Sequence, residues 1–191
     1  MRILVTGGTG LLGGRVIPKL VEDGHQILAL TRSASSHDNL KALGASPVDA
    51  DLETSASLSL PAIDAVVHAA ALFGFSGPRA PFFRTNVDGT LALLKAADNA
   101  GAKTFVYISA AGIVMDDAGT PIRNADESAP TFPNHFSAYL ASKARADGSS
   151  SSSPSLAPGP QRGPYSPTSV GCEILRSHPA ARTKPKPALC Q

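Results

Sequence analysis

The chain has 191 residues, 42% of them hydrophobic, and a formal net charge of +2, which allows one globular domain of ordinary size. No apolar run is long enough to cross a bilayer, and the amino terminus does not read as a basic-then-apolar leader, so the expected setting is cytoplasmic, without membrane attachment. The two cysteines, Cys172 and Cys190, lack metal-ligand spacing, and neither a zinc site nor a disulfide framework is expected.

In chain order, the first element is an apolar run, Ile3-Leu4-Val5-Thr6, followed at once by Gly7-Gly8-Thr9-Gly10-Leu11-Leu12-Gly13-Gly14. It reads as strand, glycine turn, helix. Gly8, Gly10 and Gly13 meet the spacing G-x-G-x-x-G, and Leu12, Val16, Leu20, Ile17 and Val21 supply the helical apolar stripe that should follow. A strand that reverses into a helix over a phosphate needs glycine, because a Cβ blocks the backbone's approach. Gly7, Gly8, Gly10, Leu11, Leu12 and Gly13 are therefore candidates to hold a dinucleotide pyrophosphate at a helix amino terminus.

Pro18 conflicts locally with that helix, and a bend is expected there. Gln26–Thr31 reads as the second strand, residues 36–43 as a short helix, 46–49 as a third strand and 63–68 as a fourth. From about Pro81 to Ala100, Val87, Leu91, Leu94 and Ala97 recur at helical spacing. Residues 104–109 read as a fifth strand, and another helix starts at Ser137. Strands alternating with helices argue for an α/β fold with a parallel sheet, and a doubly wound, Rossmann-like arrangement gives the strand order 3-2-1-4-5.

The end of the second strand should select the coenzyme. An acidic residue there accepts hydrogen bonds from the ribose 2′-hydroxyl, whereas arginine pairs with a 2′-phosphate. The chain has Thr31-Arg32-Ser33, which favours NADP over NAD through Arg32. Further on, Tyr139-Leu140-Ala141-Ser142-Lys143 places a phenol and an ammonium four residues apart on one helix face. A neighbouring cation is expected to lower the phenol's pKa toward acid–base use.

Taken together, these residues carry a resemblance. The chain is similar to extended short-chain dehydrogenases/reductases of the NAD-dependent epimerase/dehydratase family, including dihydroflavonol and cinnamoyl-CoA reductase-like enzymes. The matching features are Val5 to Gly13, Asp51-Leu52, His68-Ala69-Ala70-Ala71, Thr85-Asn86-Val87-Asp88-Gly89-Thr90 and Tyr139 to Lys143, covering residues 1 to about 147. The resemblance implies that Asp51 approaches the adenine amino group with Leu52 beside the ring, while Ala69, Ala70 and Ala71 pass along the ribose. It implies that Asn86 fixes the active-site helix, that Tyr139 exchanges a proton with the substrate oxygen, and that Lys143 binds the nicotinamide ribose. His68 is read as a satisfied strand-end side chain.

Two departures stand out. Where the family pairs Ser/Thr residues after the fifth strand, this chain has Ser109-Ala110-Ala111, so either Ser109 substitutes or a backbone donor acts with Tyr139. After about Asp147 the family pattern gives way to a Ser/Pro-rich, basic stretch containing half of the chain's 16 prolines. The expectation is an incomplete domain over 1–147, truncated before its sixth strand and substrate lobe, then a disordered tail over 148–191. A frame change near residues 146–153 is one origin for that tail. Partners expected are a small carbonyl substrate and, through apolar surface left uncovered, self-association; no nucleic acid is expected. Three readings stay open: an NADP-dependent reductase or dehydrogenase, a nucleotide-sugar epimerase or dehydratase retaining NAD, and a non-catalytic dinucleotide-binding fragment.

Overall fold

The structure, a computed structural model, describes residues 1–54, 58–126 and 129–151. Five strands form one sheet in the order β3-β2-β1-β4-β5: β1 (Arg2–Thr6), β2 (Gln26–Thr31), β3 (Ala45–Asp49), β4 (Ala65–His68) and β5 (Thr104–Tyr107). Every pairing is parallel, with Leu4 opposite Leu28 and Val66 at the centre. This is the expected order. β4 and β5 are shorter than their apolar runs, although main-chain hydrogen bonds continue past their ends, from Asp64 N to Arg2 O and from Ile108 N to His68 O. Pro47 sits in β3, at the margin of the sheet, where its missing N–H interrupts no second ladder.

The alternation of side chains along the strands divides the core into two layers. Ile3, Val5, Ile27, Ala29, Ala65 and Val67 face α1 (Gly13–Glu22) and α2 (His37–Ala42) through Ile17, Leu20 and Leu40. Leu4, Leu28, Leu30 and Val66 face the other side, against Leu93, Leu94 and Ala97 of α4 (Gly89–Asn99). The expected helix from about Pro81 to Ala100 is a composite: α3 (Arg79–Phe83), a wide π turn over Arg84–Asp88, then α4. The extra residue of a π turn shifts the register of one face, and here it carries Thr85, Asn86 and Val87 inward. Helix α1 continues through Pro18 to Glu22.

Helix α5 (Ala138–Ser151) runs past Asp147, where the sequence reading ends it. Ala146 explains the extension, since it is fully buried in a small cluster with Tyr107 and Val87 and draws the last turns against the sheet. The remainder of the expected tail, 152–191, lies outside the described residues.

The β1–α1 turn depends on two glycines. Gly7 has φ +72°, and a Cβ on it would lie 2.8 Å from Ala70 N and 2.9 Å from Ala69 C. A Cβ on Gly13 would run into Gly7 O and into Gly8 Cα at 2.5 Å, so α1 packs directly on the loop's own backbone. Gly14, one residue later, faces open space. Gly13→Ala should therefore destabilise the fold by about 2 kcal/mol or more, while Gly14→Ala is neutral or stabilises it by about 0.5 kcal/mol through helix propensity. Urea unfolding of both variants checks this contrast.

Candidate functional site

The loops after β1, β2, β4 and β5 leave the sheet at one end, and the residues singled out in the sequence converge there. Gly10 N donates to Gly7 O at 3.0 Å, and Gly14 N to Gly10 O at 2.9 Å, which coils the loop directly into α1. Leu11 and Leu12 stand at the mouth of this helix, Leu11 almost fully exposed. The cradle that a Cβ at Gly7 or Gly13 would fill is the main-chain approach a pyrophosphate requires, so these residues fit a dinucleotide.

Arg32 is exposed just beyond β2. The turn it sits on is shaped by Thr31, whose Oγ1 accepts from Ser33 N at 3.2 Å. Asp51 Oδ1 accepts from Glu53 N at 3.0 Å and so shapes its own turn. Leu52 is buried in the core beneath Gly89, so its side chain belongs to the core and only its main chain can face a coenzyme. Ala69 and Ala70 lie against Gly7, and Ala71 is exposed.

Between these loops runs a directional chain of hydrogen bonds. Ala70 N donates to Thr6 Oγ1 at 3.0 Å, and Thr6 Oγ1 lies 2.6 Å from His68 Nδ1. On the other side, His68 Nε2 lies 2.9 Å from Thr90 Oγ1, which donates to Asn86 O at 2.7 Å. Thr90 has one hydroxyl proton and gives it to Asn86 O, so His68 Nε2 carries the imidazole proton and Nδ1 accepts from Thr6. His68 is fully satisfied and neutral, with its pKa lowered to about 3, chiefly by burial and secondarily by the Lys143 charge.

Asn86 then ties three elements together. Its Oδ1 accepts from Leu72 N at 2.7 Å, and its Nδ2 donates to Leu72 O at 3.0 Å and to Ser142 Oγ at 2.9 Å. Ser142 in turn donates to Tyr139 O at 2.7 Å. This fixes the loop after β4 and the rotation of α5, and with it the direction of Tyr139 and Lys143.

Lys143 is buried, at 2% exposure; its Nζ donates to Ile108 O at 2.6 Å and lies 4.1 Å from the centre of the Tyr107 ring. Burial lowers its pKa to about 8, against an opposing pull from Asp147 one turn along. The Tyr139 phenol departs from the sequence expectation: burial raises its pKa. The ammonium is engaged with Ile108 O and the Tyr107 ring, and loss of water around the phenol outweighs any help from it. Ser109 Oγ is buried and lowers the pKa of Asp147, though burial raises that carboxyl overall. Tyr107 was not singled out in the sequence; its phenol is buried beside Lys143, and burial raises its pKa strongly. Asp147 was also missed, although its spacing of four from Lys143 repeats that of Tyr139 and Lys143. Among the described residues no cluster of metal-ligating side chains occurs, and no helix is long and apolar enough to cross a membrane.

Comparison with known proteins agrees with this geometry. Residues 3–149 match the model of the NAD dependent epimerase/dehydratase family. The chain is 38% identical over 149 residues to a 4-hydroxy-2-methyl-3-oxo-4-farnesyl-3,4-dihydroquinoline-1-oxide ketoreductase of Stigmatella aurantiaca, covering 77% of this chain and 44% of that protein. It is 33% identical to a 3 beta-hydroxysteroid dehydrogenase/Delta 5-->4-isomerase of Mycobacterium tuberculosis, covering 76% and 41%. Among solved structures, the UDP-glucose 4-epimerase of Thermus thermophilus in complex with NAD superposes with a TM-score of 0.66 at 28% identity, covering 79% of this chain and 50% of that one. The Bordetella bronchiseptica enzyme WbmG with NAD gives 0.63 at 29%, covering 78% and 48%. The chain thus spans less than half the length of the curated relatives it matches.

The buried imidazole makes stability depend on pH in a defined direction. With its folded pKa near 3 and an ordinary value near 6.5, His68 adds no penalty above pH 6.5. As pH falls from 6.5 toward 3 the unfolded chain takes up the proton first, and stability drops by up to about 1.4 kcal/mol per unit. His68→Gln should be less stable at pH 7 but lose less on acidification to pH 4.5. Unfolding by urea at stepped pH reads the difference, and parallel slopes would contradict it.

Proposed function

The chain belongs to the NAD dependent epimerase/dehydratase family, and from that premise we propose that it binds NADP and serves hydride transfer to or from a carbonyl compound or secondary alcohol, with Tyr139 as the proton donor or acceptor. The observation that carries this reading is the Asn86 bridge, which holds the Tyr139 helix and the loop after β4 in one arrangement beside the glycine cradle. The cradle, Arg32, the Asp51-Leu52 main chain and Ala69 to Ala71 would hold the dinucleotide, and Lys143 its nicotinamide ribose. When bound, the nicotinamide supplies or accepts the hydride at the carbon bearing the substrate oxygen.

The chain's own part is proton management and alignment. A phenol whose pKa is raised by burial stays protonated at neutral pH, which suits Tyr139 to donate to the oxygen of a carbonyl being reduced. Lys143, one helical turn from Tyr139 and anchored on Ile108 O, would offer positive charge to the phenolate formed after donation. Ser109 is the side-chain candidate to polarise the carbonyl. The Stigmatella relative is by name a ketoreductase and the mycobacterial relative a dehydrogenase/isomerase, which supports the same chemistry. A second reading, a nucleotide-sugar epimerase or dehydratase retaining NAD, is favoured by the structural likeness to UDP-glucose 4-epimerase with NAD. We place the chain in the cytoplasm, with self-association through the margin of the sheet at β5.

Titration of the purified chain with NADPH and NADH separates the readings. NADPH should bind at least about tenfold more tightly, and Arg32→Asp should remove that preference, since a charge-assisted contact is worth about 1.5–3 kcal/mol. Tight co-purifying NAD favours the epimerase. Tyr139→Phe should leave NADPH affinity within about twofold while lowering ketone-dependent NADPH oxidation by about 100-fold or more. Equal rates for both proteins would remove Tyr139 from the chemistry.

A further inference from the structure

The loop that Asn86 grips carries two aromatic rings out to solvent beside Tyr139. Phe73 follows the pinned Leu72, and its ring centre lies 4.9 Å from that of Tyr139, edge to face at 79°. Phe75 packs on Phe73 in the same manner, at 5.1 Å and 78°. Phe73 is 60% exposed and Phe75 91% exposed, and two large apolar rings packed on each other at the surface mark a place for an apolar contact.

Their position is set by the fold. A Cβ on Gly74, between the two rings, would lie 3.0 Å from Phe82 Cζ, and Gly77, at φ +130°, also faces that ring. The loop is thus seated on Phe82 of α3 at one end and held by the Asn86 amide at the other. Its rings form a preformed wall, which lowers the ordering cost of binding against it.

The chemistry of that wall is one-sided. From Ala69 to Pro78 the chain has no charged residue. The next cation, Arg79, is committed elsewhere: Nη1 donates to His135 O at 2.9 Å, and the guanidinium stacks 5.1 Å above the Phe83 ring. Lys143 is engaged with Ile108 O. Along this stretch of wall, from Ala69 to Pro78, a bound molecule meets ring faces and edges and no cation to pair with a phosphate.

We propose that Phe73 and Phe75 form the substrate wall of the Tyr139 site and select an apolar, ring-bearing ketone or secondary alcohol over a nucleotide sugar. This rests on the reading of Tyr139 as the group that meets the substrate oxygen. It adds the class of molecule attached to that oxygen.

The test uses the full chain and the flat fluorescent ketone 2-acetylnaphthalene, titrated with and without saturating NADP, beside UDP-glucose followed by calorimetry. The ketone should bind, and Phe73→Ser should weaken it about tenfold and Phe75→Ser about threefold, the loss expected for an aromatic contact and its buried area. The affinity for NADP should stay unchanged in both variants, showing that the fold is kept; Phe73→Leu should fall between. Equal ketone affinity in Phe73→Ser, absence of ketone binding, or binding of UDP-glucose instead would overturn the wall. A concentration-dependent dimer abolished by Phe73→Ser would also overturn it, by assigning the rings to a second copy. If the chain binds neither coenzyme, or if Tyr139→Phe turns over NADPH at an equal rate, the proposed function fails, while the titration without NADP still reads the wall by itself.

Discussion

One carboxamide holds the working end of this molecule together. Asn86 donates and accepts at the Leu72 peptide and donates to Ser142, so a loop after β4, a π turn and helix α5 share a single polar side chain. The partners Asn86 and Ser142 are 56 residues apart, and beside this hydrogen bond the two elements share a small apolar cluster of Val87, Tyr107 and Ala146. Small side chains such as Ala141 and Ala144 make up much of the buried face of α5, beside Leu140 at Gly112, and such a face can shift slightly at little cost. A buried amide cannot do so without leaving a donor or acceptor empty, which costs about 1–3 kcal/mol. Register at the site is thereby set by hydrogen bonding.

The π turn makes this reach available. An unbroken α-helix from Arg79 to Asn99 would advance each later residue on its face, so the extra residue over Arg84–Asp88 is what lets Asn86 face the loop while Leu93, Leu94 and Ala97 still face the sheet. The same segment accepts the end of the Thr6–His68–Thr90 chain at Asn86 O. Two polar networks therefore meet at one residue. One runs back through a neutral imidazole to the glycine loop, the other forward to the Tyr139 helix. Each donor in them has an acceptor, the condition under which buried polar groups rigidify a structure.

Much of this was legible in advance, for reasons of local physics. A glycine cluster after a buried strand, five apolar runs with helical stretches between them, and a phenol four residues before a lysine are all patterns of short range, and the strand order followed from their alternation. Contacts between distant segments were not legible. Phe73 reads as an ordinary apolar residue until the fold sets it beside Tyr139, and the packing of the Leu52 side chain into the core against Gly89 is visible only in the fold. The direction of the Tyr139 shift was misjudged because spacing along a helix gives proximity but says nothing of burial. The helix end at Asp147 was misjudged likewise: a run of alanine, aspartate, glycine and serine has no strong helical pattern, and the burial of Ala146 against Tyr107 decides the matter.

Lys143 shows what the site costs the fold. A lysine at 2% exposure has lost nearly all its water, and a backbone carbonyl with an aromatic face replaces only part of that hydration, which is why its pKa falls to about 8. Between pH 10.5 and 8 the unfolded chain takes up this proton before the folded one, so stability falls as pH drops through that window and loses nothing further below it. A purely structural position would carry a leucine or methionine, which fills the same volume without the penalty. Asp147, one turn beyond, recovers part of the cost by Coulomb attraction and does so without exposing the pair. The ammonium thus sits where packing alone disfavours a charge, four residues from Tyr139 on the same helix, and such perturbed titratable groups concentrate at functional sites.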